Sequence, residues 1–97
     1  MKQYLVTGYD YTDEGALDRR LAVRQHHLDN AKKYKESGNY ITGAAILDDA
    51  DKMIGSVMML QFENEEELEA WKKSEPYITQ KVFESVDVKP IRMPNLS

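Results

Sequence analysis

The sequence predicts an α+β domain in which four strands and two main helices follow one another in the order β-α-β-β-α-β. Three observations carry that prediction. Short β-leaning runs, alternating or apolar on both sides, occur at residues 4–9, Tyr40–Leu47, Met53–Phe62 and 82–91. An unbroken helical composition fills residues 16–37 and stops at Gly38. A second, acidic helical segment opens after Asn64 and is interrupted at Pro76.

The first strand places Leu5, Thr7 and Tyr9 on one side and Tyr4, Val6 and Gly8 on the other. A polar stretch ending in Gly15 leads into the long helix. Steps of about 100° per residue gather Leu17, Leu21 and Leu28 into a narrow apolar arc, the predicted buried face, with Arg24 and Ala31 beside it. Beyond Gly38, the second and third strands form a hairpin around a turn containing Asp48, Asp49, Asp51 and Lys52. In the third strand Ile54, Ser56, Met58, Leu60 and Phe62 share one face, and Met53, Gly55, Val57, Met59 and Gln61 the other. Asn64 is a natural N-cap for the helix beginning Glu65-Glu66-Glu67, whose charges favour a helix start. Pro76 disfavours helical geometry at Glu75 and suits the first turn of a new helix. This order is the ferredoxin-like split βαβ plan, with both helices on one face of an antiparallel sheet. The other face stays apolar and bare. A second copy of the same sheet is its expected cover, giving a homodimer or a higher homo-oligomer.

Ninety-seven residues, 41% hydrophobic and 31% charged, are expected to form one soluble domain over residues 1–97, with a modest core that a partner subunit could enlarge. A net charge of −4 repels phosphate, which argues against nucleic acid and anionic membranes as partners. The absence of cysteine removes disulfides, thiolate metal sites and Cys nucleophiles. Residues 1–10 lack the apolar stretch of a signal peptide, so the expected location is the cytoplasm. No phosphate-binding glycine motif and no G-x-S-x-G occurs. His26 and His27 are adjacent and therefore project from different helix faces, so no metal site is expected.

Arg20, Arg24, His27, Ala31 and Tyr34 form a stripe at the margin of the predicted apolar arc. An imidazole there can take and give protons near neutral pH, and the flanking guanidinium groups can hold an anionic substrate against it. The spacing equally admits a boundary histidine between arginines that reach for water. His26 points to nearly the opposite side and is expected in solvent.

Three segments in order resemble the YCII-related family of the dimeric α+β barrel superfamily, over nearly the whole chain. The family's helix signature is similar to residues 20–28, in which an R-x-x-H-L core corresponds to Arg24 through Leu28 and selects His27. Its third-strand pattern resembles Gly55-Ser56 and the apolar residues that follow, then Leu68-Glu69-Ala70-Trp71. Its closing signature resembles Glu75-Pro76-Tyr77 and the strand ending Lys89-Pro90. The family usually carries Asp where this chain has Glu75, and Gly-Pro where it has Ala44-Ala45.

The resemblance implies a dimeric α+β barrel and a His–carboxylate dyad of His27 and Glu75; beside that dyad, Arg20, Arg24, Ser56 and Tyr77 are the expected substrate-binding residues. It also implies isomerase, lyase or dehalogenase-like chemistry on a small, anionic, cyclic or aromatic metabolite without a metal or organic cofactor. The alternative is a non-catalytic ligand-binding or assembly domain, favoured by the Glu75 and Ala44-Ala45 departures. The two differ in whether Glu75 reaches His27 beside a concave pocket.

Overall fold

The computed structural model describes residues 1–96. Its elements are β1 (Lys2–Asp10), α1 (Ala16–Glu36), β2 (Tyr40–Leu47), β3 (Met53–Phe62), α2 (Glu65–Ser74), α3 (Pro76–Thr79) and β4 (Phe83–Ile91). The strands make one antiparallel sheet in the order β2-β3-β1-β4, with the helices on one face, which is the ferredoxin-like α+β fold.

The helix boundaries follow from local chemistry. α1 ends where Gly38 adopts φ +83°, a conformation that costs a residue without Cβ little. Asn64 Oδ1 accepts from Glu67 N at 3.0 Å and so caps α2. Glu75 stands in extended geometry between α2 and α3, with Pro76 as the first residue of the new helix. β4 starts at Phe83 rather than Val82, because Lys81 takes φ +58° and Val82 N donates to Tyr77 O to close the turn.

The core lies between the sheet and the helices. Tyr4 and Val6 of β1 and Met58, Leu60 and Phe62 of β3 meet Leu68 and Trp71 of α2, together with Tyr77, Val82 and Phe83. Gly8 belongs to this face, and a Cβ there would come within 2.7 Å of three atoms of the Phe83 ring. Only a bare backbone lets that ring cross β1. Among the described residues no helix covers the opposite face. Directly paired residues share a face, so the Leu5–Met59 and Thr7–Val57 pairs place four side chains at the centre of this bare surface. Among the described residues no helix is long and apolar enough to cross a membrane.

One expectation is overturned. The arc of Leu17, Leu21 and Leu28 is not the buried face of α1: Leu21 is 47% and Leu28 38% exposed, and Leu17 only half-buried. The buried residues of α1 are Arg20 and His27, and Val23 and Tyr34 pack against the core beside them. Hydropathy ranks leucine above arginine and histidine, but buried charge is admitted where a partner meets it. Both polar residues have such partners on other elements.

Candidate active site

The buried stripe of α1 brings two polar side chains to the sheet two turns apart. Nearer the helix start, Arg20 is 2% exposed, and its Nη1 donates to both oxygens of Asp10 at 2.9 and 3.2 Å. Its Nη2 donates to the Gly55 carbonyl at 2.9 Å and to the Ser56 hydroxyl. Asp10 can meet it because the alternation of β1 puts Tyr4, Val6, Gly8 and Asp10 on the helix-covered face. Burial raises the Asp10 carboxyl above its ordinary value, against the opposing pull of the Arg20 guanidinium.

Two turns further on, His27 Nδ1 lies 2.6 Å from Glu75 Oε1. Glu75 is only 1% exposed and holds this position through its own backbone role. As the N-cap of α3 its Oε1 also accepts from Tyr77 N at 3.2 Å, while Oε2 lies 3.5 Å from Asn30 Nδ2. The extra methylene relative to Asp still permits the capping bond and reaches the imidazole as well. Tyr77 joins the two centres: the His27 ring stacks on it at 4.1 Å and 12°, and Arg20 Cζ stands 4.5 Å from its centroid. His26 is exposed.

Beside these groups is a cavity of about 220 Å³ lined by Arg20, Arg24, His27, Tyr40, Ser56 and Tyr77, among others. Roomier grooves of about 710 and 610 Å³ lie elsewhere and contain no histidine, so size alone does not mark the site. The smaller cavity is the one against which a buried imidazole–carboxylate pair stands. Arg24, on its wall, is exposed and makes no ion pair among the described residues. Burial raises the Tyr77 phenol above its ordinary value, with Arg20 and Arg24 opposing. Burial, then the Glu75 carboxylate, does the same for Tyr40. Both phenols therefore remain hydrogen-bond donors at neutral pH.

All six residues singled out from the sequence converge here: His27, Glu75, Arg20, Arg24, Ser56 and Tyr77. Their states differ, since Arg20 is already neutralised by Asp10 while Arg24 is not. Asp10, Asn30 and Tyr40 escaped the sequence reading. An available signal for Asp10 was its even-numbered phase on β1, which sets an acid on the core face and so requires a cation opposite. With Nδ1 engaged by Glu75, the imidazole has Nε2 left for exchange with a ligand.

Comparisons with known proteins agree with this architecture. Residues 3–92 match the model of the YCII-related domain. Protein YciI of Escherichia coli O6:H1 is 30% identical over 95 residues, covering 92% of this chain and 95% of that protein. An uncharacterized protein of Haemophilus influenzae is 32% identical over 82 residues, covering 78% and 84%. Among solved structures, 5-chloro-2-hydroxyhydroquinone dehydrochlorinase from Burkholderia phenoliruptrix AC1100, in complex with 2,5-dihydroxybenzoquinone, superimposes with a TM-score of 0.79. The identity is 20%, with 95% of each chain covered, so the likeness is one of fold. A YCII-related domain matched over most of the chain, together with curated relatives at this level of identity, shows that the chain belongs to the YCII-related family.

Proposed function

We propose that this protein is a cytoplasmic homodimeric enzyme that uses His27 and Glu75 for acid/base chemistry on a small, anionic, cyclic or aromatic metabolite. The observation that carries the reading is the 2.6 Å contact of His27 Nδ1 with Glu75 Oε1 at the wall of a cavity. The carboxylate accepts from Nδ1–H, so the Nε2 lone pair is the base. Protonation at Nε2 makes an imidazolium whose charge the same carboxylate offsets. The base takes a proton from a ring carbon activated by a neighbouring oxygen, and the C–H electron pair moves into the ring. Either a leaving group departs with its own bonding pair, or the proton returns at another carbon. The first outcome is elimination and the second isomerisation.

Arg24 receives the anionic oxygen, being the cation of this wall that no carboxylate occupies. Arg20 acts through its neighbours: it holds the Ser56 hydroxyl and sits over Tyr77, which in turn supports the His27 ring. The dehydrochlorinase and its quinone ligand support this substrate class. Dimerisation through the bare sheet face would remove Leu5, Val57 and Met59 from water.

Turnover is tested by incubating the protein with chlorinated and unchlorinated hydroxyquinols and following loss of substrate by mass spectrometry. His27→Ala is expected to lower the rate roughly 10²–10⁴-fold with dimer mass and circular dichroism unchanged. Glu75→Gln, which keeps shape and the capping acceptor, is expected to lower it less. Undiminished turnover in His27→Ala would refute the dyad.

A further inference from the structure

The β2 wall of the cavity carries a hydroxyl to which the acid/base reading gives no task. Tyr40 lines the cavity together with His27, Arg24 and Gly43, and its ring packs against the core. Among the described residues its hydroxyl makes no hydrogen bond. Two features of β2 place it there. Tyr40 pairs with Leu60 and Gly43 with Met58, and a register shift lies between Tyr40 and Thr42. Residues three apart on a regular strand face opposite ways, so this irregularity is what turns Tyr40 and Gly43 to the same helix-covered face. Gly43 then supplies the room: a Cβ there would come within 3.0 Å of both Tyr40 Cζ and the Val57 carbonyl oxygen, and nearer still to the Tyr40 hydroxyl.

A strand irregularity, a glycine and a hydroxyl without a partner together resemble a built donor position rather than core filler. We propose that Tyr40 is the specificity-determining hydrogen-bond donor of this cavity. Arg24 holds one anionic oxygen of the ligand and Tyr40 reads a second oxygen on the same ring. The inference rests on the His27–Glu75 cavity being the substrate site, and it narrows the substrate class to small monocyclic acids or phenolates with at least two oxygen substituents. A cavity of about 220 Å³ is below the range typical for drug-sized ligands, which agrees with one ring.

The test is calorimetric binding of benzoate and of the three monohydroxybenzoates to the dimer as purified. Wild-type protein is expected to bind at least one hydroxylated isomer about three- to tenfold more tightly than benzoate, the worth of one hydrogen bond. Tyr40→Phe should abolish that preference and leave benzoate affinity within about twofold. Gly43→Ala, which displaces the hydroxyl without removing it, should reduce the preference as well. Arg24→Gln should weaken all four probes alike. Equal binding of all probes by wild-type protein, a preference that survives in Tyr40→Phe, or loss of benzoate binding in that variant would each overturn the assignment. The calorimeter reads binding and not turnover, so the readout is separate from the dyad: selectivity without turnover of any substrate counts against proton transfer by His27 and not against Tyr40.

Discussion

Two carboxylates meet the buried stripe of α1, and the company each keeps differs. Asp10 closes on Arg20 with side-chain exposures of 3% and 2%, and the guanidinium's remaining Nη donor is spent on Gly55 and Ser56. Glu75 closes on His27, but His27 also forms part of a cavity wall and keeps one ring nitrogen uncommitted. The first pair fixes the position of the helix; the second stands at a cavity wall with a ring nitrogen that no described residue engages. A buried ion pair is therefore not by itself a sign of chemistry. What separates the two is access to a cavity and an imidazole in place of a guanidinium.

The sharpest way to break this comparison is to remove Asp10. Asp10→Ala leaves the Arg20 charge buried and unmet, and should cost about 3–5 kcal/mol, read from urea midpoints at neutral pH. The double replacement Asp10→Leu with Arg20→Met removes both charges and should recover most of that loss. The raised Asp10 value points the same way, because it means that burial outweighs the attraction of Arg20. A carboxyl with a raised folded-state value contributes stability below its ordinary value of 3.8 and loses it as pH climbs through the folded value. The double variant should accordingly gain on wild type as pH rises through that window. If Asp10→Ala were neutral, the pair would not be holding the helix.

The next largest effect concerns which face of α1 is inside. Val23→Ala removes apolar surface packed on the core and should cost about 1 kcal/mol. Leu21→Ala, at an exposed position, should stay within about 0.5 kcal/mol. The reverse order would restore the leucine arc as the buried face.

That pair of variants also marks where the sequence was legible and where it was not. The strand faces could be read because alternation has a period of two and Tyr4, Val6, Met58, Leu60 and Phe62 all obey it. Gly38, Asn64 and Pro76 announced their roles because caps and breaks are local chemistry. The rotation of α1 was hidden because its buried residues are an arginine and a histidine, and only the folded chain brings Asp10 and Glu75 to them. His27 emerged from the family-like signature and from its stripe, although the leucines beside that stripe lie outside the core. Tyr40 was hidden for another reason: a regular strand would have turned it away from Gly43, and the irregularity that corrects this leaves no mark in composition.

The smallest effect is expected at a second carboxylate–arginine contact, between Asp13 and Arg19 at the start of α1. The two side chains pair through two hydrogen bonds of 2.8 and 3.1 Å, as well made as the Asp10–Arg20 contact, but both are open to solvent at 51% and 37%. The Arg19 hydrogen bond lowers the Asp13 carboxyl below its ordinary value. A lowered carboxyl contributes stability that is present above 3.8 and is lost as pH falls through the folded value, the opposite sign to Asp10. Water and salt screen the pair, so Asp13→Asn should shift the urea midpoint only marginally at neutral pH, and the shift should vanish in acid and in molar salt. The Asp10→Ala loss should by contrast persist in molar salt, because its partner is shielded from the ions. If the Asp13→Asn shift rivalled the Asp10→Ala loss, contact geometry rather than burial would be deciding the worth of these pairs.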